Sequence, residues 1–66
     1  MEVIVNGMPR DISDGSSLLD LLNILNLNPD TTIVELNREV APKDAYADQI
    51  LRAGDKIELV RLVGGG

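Results

Sequence analysis

Sixty-six residues with neither cysteine nor histidine admit a single domain and exclude disulfide staples, thiolate metal sites, a thiol nucleophile and the usual neutral-pH base. Ten Leu, six Ile and six Val against one Tyr, with no Phe or Trp, predict a core of branched aliphatics; a domain of this size holds only about 3–5 kcal/mol. Eleven acidic against six basic residues give a net charge of −5, with no basic cluster and almost no aromatic platform, which excludes nucleic acid as a partner.

The first strand is expected over Met1 to Val5, where Met1, Val3 and Val5 alternate with Glu2 and Ile4. Asn6-Gly7 is the dipeptide of a two-residue hairpin, whose turn needs positive φ at both positions. A second strand follows from about Met8 to Ile12, with Pro9 marking an edge. After Asp14-Gly15-Ser16 breaks the pattern, Ser17 and Asp20 form a capping box for a helix running to about Leu27. Leu18, Leu21, Leu22 and Leu25 make one stripe, and Leu19, Ile24 and Leu27 are expected to widen it, so the helix should lie deep against a sheet. Asn28-Pro29-Asp30 is expected to end it.

Thr31 to Leu36 is rich in β-branched residues and reads as a third strand, turning at Asn37-Arg38-Glu39 into a short stretch around Val40. Pro42 to Gln49 is polar and should hold one helical turn carrying Tyr46, whose hydroxyl is expected in water at an edge of the core. Ala53-Gly54-Asp55 is a tight turn, and Lys56 to Val63 is the last strand. A right-handed crossover sets the two terminal strands side by side and parallel in the middle of the sheet. One helix on one face of such a mixed sheet is an α+β fold of the β-grasp kind. Residues 1–63 are expected to form that domain, and 64–66 a flexible glycine tail.

Conventional catalysis finds little support. The carboxylates are scattered as a solvated surface would have them, Asp44 and Asp48 share a helical spacing without companion metal ligands, and Lys43 and Lys56 lack apolar surroundings. No metal site and no bound cofactor are expected. The longest apolar stretch is far short of a membrane span, and no leader pattern follows Met1, so the chain reads as soluble and cytoplasmic with no membrane partner. The acidic balance points to a protein partner with a basic patch, while solubility alone accounts for it equally well.

Gly64-Gly65-Gly66 stand out, since glycine carries the largest ordering entropy and packs nothing. An idle terminus is the plain explanation. The alternative is that a backbone without Cβ atoms enters a narrow channel. Five residues from Leu62 onward reach roughly 16–18 Å when extended, enough to deliver the Gly66 carboxylate into another protein. That carboxylate is ionised at neutral pH and able to attack an electrophilic phosphorus. If Ile57 and Leu59 face the core, Glu58, Val60 and Leu62 line the opposite face, which one helix cannot cover. Those aliphatics are then either a protein-docking patch or ordinary scattered surface residues.

The opening M-E-V-I-V-N-G, the helix start S-S-L-L-D-L-L, the central V-E-L-N-R-E-V-A-P and the closing A-G-D-K-I-E-L-V-R-L-V-G-G-G together resemble the ThiS family, sulfur carriers of thiamine biosynthesis, over essentially the whole chain. The resemblance implies a β-grasp fold related to ubiquitin and a carrier rather than an enzyme. It implies that a ThiF-like adenylating enzyme uses ATP to activate the carboxylate of Gly66. A persulfide donor then turns it into a thiocarboxylate, and thiazole synthase (ThiG-like) takes the sulfur for the thiazole ring. The family's diglycine falls on Gly65 and Gly66, and its partner surface falls on Val60 and Leu62; Gly64 completes the tail. Without cysteine, a sulfur carrier can hold sulfur only on its carboxyl end. Other uses of such an end remain open: molybdopterin synthesis, tRNA thiolation, or a ubiquitin-like modifier or interaction module. The molybdopterin carriers usually have prolines before the diglycine, where Leu62-Val63 stand here.

Overall fold

Asn6 and Gly7 both take the left-handed backbone region, with φ of 49° and 81°, as a two-residue hairpin turn requires. They join β1 (Glu2–Val5) to β2 (Met8–Asp11) in an antiparallel pair that sets Glu2 opposite Asp11 and Val5 opposite Met8. The computed structural model describes residues 1–62, so Val63 and the glycines 64–66, including the expected end of the last strand and the expected tail, lie outside the described residues.

Five strands form one mixed sheet in the order β2-β1-β5-β3-β4, completed by β3 (Thr32–Leu36), β4 (Glu39–Val40) and β5 (Lys56–Arg61). The two terminal strands are adjacent and parallel, with Val5 level with Ile57, as the crossover rule demands. β3 runs antiparallel to β5 and pairs Ile33 with Val60 and Glu35 with Glu58. β3 and β4 are joined at Asn37 and Arg38, both at positive φ (51° and 72°).

The helix α1 (Leu18–Ile24) starts from the capping box: the Ser17 hydroxyl accepts from the Asp20 N–H at 3.1 Å, and the Asp20 carboxylate accepts from the Ser17 N–H at 2.9 Å. It stops three residues short of Leu27. Asn26 takes a left-handed φ of 60°, the Leu27 N–H donates to the Leu22 carbonyl at 2.9 Å, and the Asn26 N–H donates to the Asn23 carbonyl at 3.1 Å. This is the two-bond cap that commonly closes helices, with asparagine in the usual glycine place. The helix is therefore ended by Asn26. Pro29 instead opens a short 3₁₀ turn, Pro29–Thr31, whose cap Asn28 accepts from the Asp30 N–H. Ile24, expected to widen the buried stripe, is 58 % exposed, because the stripe is completed by Leu19, Leu25 and Leu27 packing half-buried around Leu18, Leu21 and Leu22.

The core is the layer between α1 and one sheet face, made of Val3, Ile12, Leu18, Leu21, Leu22, Val34, Leu51 and Ile57 together with Tyr46. Tyr46 corrects the expectation of a wet hydroxyl. It caps the 3₁₀ turn Lys43–Ala45, is 4 % exposed, and donates from its hydroxyl to the Thr32 carbonyl at 2.8 Å. Burying the ring requires a partner for the hydroxyl, and the first residue of β3 provides it. Among the described residues no helix is long and apolar enough to cross a membrane.

Candidate functional site

β5 is the middle strand of the sheet and the segment from which residues 63–66 continue, so its side chains define what lies at the root of that end. Ile57 is buried and Leu59 half-buried on the helix side, which turns Glu58 and Val60 to the opposite, uncovered face. Val60 and Leu62 are each 53 % exposed. The register adds Ile33, 39 % exposed and directly opposite Val60. The open face thus carries an apolar row at the C-terminal end of β5. Ile33 was not singled out from sequence, although its alternation with the buried Thr32 and Val34 carries the signal.

Two hydrogen bonds fix this end of the strand. The Leu62 N–H donates to the Thr31 carbonyl at 2.7 Å, prolonging the β3 ladder one step past the last strand residue. On the other side β1 stops at Val5, and the Asn6 side-chain carbonyl takes over, accepting from the Leu59 N–H at 2.7 Å. Asn6 therefore both turns the first hairpin and continues the ladder of β1, a second role that its Asn-Gly signature does not announce. Beyond Leu59, the pairing of β5 is with β3 alone.

Of the expected site residues, Val60 and Leu62 are brought together beside Ile33, while Gly64, Gly65 and Gly66 lie outside the described residues. Among the described residues no group of three or more Asp, Glu, His or Cys is placed to hold a metal ion. One concavity, of about 520 Å³, is an open polar groove lined by Asn37, Asp48, Arg52 and Asp55 among others. Asn37 is bonded to Lys56, at the start of β5, so the groove lies at the end of the strand opposite Leu62. What the described arrangement offers is a hydrogen-bonded strand that presents an apolar row.

An antiparallel hairpin, a parallel central pair and one helix on a single face of a mixed sheet define a β-grasp domain. The chain belongs to the ThiS family, whose sequence profile matches residues 3–66. A crystal structure of the thiamine biosynthesis protein ThiS from Geobacter metallireducens superposes with a TM-score of 0.85 at 30 % identity, covering all of both chains. The sulfur carrier protein ThiS of Bacillus subtilis is 40 % identical over 53 residues, 80 % of each chain. A thiazole synthase of Paramagnetospirillum magneticum is 36 % identical over all 66 residues, which are 20 % of that protein. The chain spans a fifth of the length of the thiazole synthases it matches.

Proposed function

We propose that the chain carries sulfur as a thiocarboxylate on Gly66 and delivers it for the thiazole ring of thiamine. The observation that carries this reading is that the family match continues to residue 66 and so includes all three glycines. Residues 1–63 act as the body that partners recognise, and 64–66 as the slender end that enters their sites. A ThiF-like enzyme binds the body, and the Gly66 carboxylate oxygen attacks the α-phosphorus of ATP. Pyrophosphate leaves and an acyl-adenylate forms. The terminal sulfur of a persulfide donor attacks the acyl carbon and AMP departs. A thiol then reduces the resulting sulfur–sulfur bond and frees the thiocarboxylate.

The chain is a co-substrate in this scheme; ATP is bound by the partner, and the dependence on ATP fits a cytoplasmic setting. Thiazole synthase is the acceptor. Support comes from thiazole synthases of two organisms that contain a segment similar to this whole chain, a natural way to keep carrier and acceptor at high effective concentration. Val60 and Leu62 are the docking residues, with Ile33 beside them, because covering an exposed aliphatic row is the main favourable term the open face can offer a partner.

The first step is tested by ATP–pyrophosphate exchange with a purified ThiF-like enzyme from the same genome. Exchange is expected to depend on adding this chain and to saturate with it. Exchange that is absent, or unaffected by the chain, overturns the reading.

A further inference from the structure

The β3–β5 register does something costly on the open face: it sets Glu35 directly opposite Glu58. Like charges opposite one another on adjacent strands, with Cβ atoms only ~5 Å apart, destabilise the pair. The same face repeats the arrangement at Glu2 and Asp11 on the β1–β2 pair. Lys56, also on this face two residues before Glu58, makes no ion pair with any of them, and among the described residues none of these four carboxylates has a salt-bridge or hydrogen-bond partner. The Glu35–Glu58 row lies immediately next to the Ile33–Val60 row.

These two rows constrain what can dock. A partner covering Ile33 and Val60 also removes water from around Glu35 and Glu58. The lowered dielectric raises their mutual repulsion and the cost of burying them uncompensated. Such a partner must therefore bring positive charge to that spot. A guanidinium, with five N–H donors in a planar fork, can bond both carboxylates at once; a lysine ammonium can sit between them.

Resting on the docking face proposed above, we propose that Glu35 and Glu58 form a two-carboxylate receptor for an arginine or lysine of thiazole synthase, seated beside the Ile33–Val60 row. The pair disfavours the free domain slightly and is relieved only in the complex, so it favours that partner over neutral surfaces of similar shape.

The test is calorimetric binding of the carrier to purified thiazole synthase from the same genome at low and moderate salt, using Glu35→Gln, Glu58→Gln, the double variant and Val60→Ser. The double variant is expected to melt higher than the parent, yet to bind about tenfold more weakly and with a shallower salt dependence. Parent-like affinity and salt slope in the double variant, with binding lost in Val60→Ser, overturns the charge receptor and leaves the docking face standing. Parent-like binding in all four variants overturns the docking face as well.

Discussion

Gly65→Trp is expected to abolish thiocarboxylate formation on Gly66 while leaving the melting temperature unchanged. The proposed chemistry requires the terminal carboxylate to reach an ATP phosphorus inside another protein, in line for attack. A glycine passes where any Cβ would collide, and the indole adds the largest side chain available. A displacement of the reacting group by even about 1 Å costs about a hundredfold in rate, so a bulky group one residue from the carboxylate should leave no measurable product. Stability is untouched because, among the described residues, the buried core ends at Ile57. Full modification of the variant, read by intact mass, contradicts passage through a narrow channel. A large drop in melting temperature contradicts the separation of the core from the glycine end.

Leu22→Ala should leave much of the protein unfolded at room temperature. Leu22 is fully buried at the centre of the helix–sheet layer. Truncating such a leucine costs about 2–5 kcal/mol through lost transfer energy and the cavity left behind. A core this small supplies only about 3–5 kcal/mol in all. A surviving folded fraction should melt more than about 10 °C below the parent. Ile24→Ala, on the exposed side of the same helix, should change little. Near-parent melting of Leu22→Ala would mean that the core collapses around the gap, which close packing between one helix and a five-stranded sheet does not allow.

Local chemistry made much of the fold legible. Asn6-Gly7, the Ser17–Asp20 capping box and the leucines at 18, 21 and 22 each state their structure within a few residues, and the crossover rule then sets β1 beside β5. The helix end was misread because Leu25 and Leu27 keep the apolar spacing going, while the residue that stops the helix, Asn26, reaches left-handed φ as an asparagine rather than as a glycine. Tyr46 was misread because the partner of its hydroxyl, the Thr32 carbonyl, lies 14 residues away. The outward turn of Val60 and Leu62 followed from strand alternation alone. Their companion Ile33, the bond from Leu59 to Asn6 and the opposition of Glu35 to Glu58 depend on strand register, which no local pattern in the sequence encodes.

The glycines that carry the proposed chemistry are read from sequence and family, so the decisive measurement is made on their product. The purified chain is incubated with its ThiF-like enzyme, ATP, a persulfide donor and a thiol, and its intact mass is recorded with fragmentation from the C-terminus. One oxygen-for-sulfur exchange, confined to Gly66 and absent when ATP is withheld, is the expected result. An unchanged mass with an enzyme that modifies another member of the family, or sulfur found anywhere but the terminal carboxyl, would contradict the carrier role.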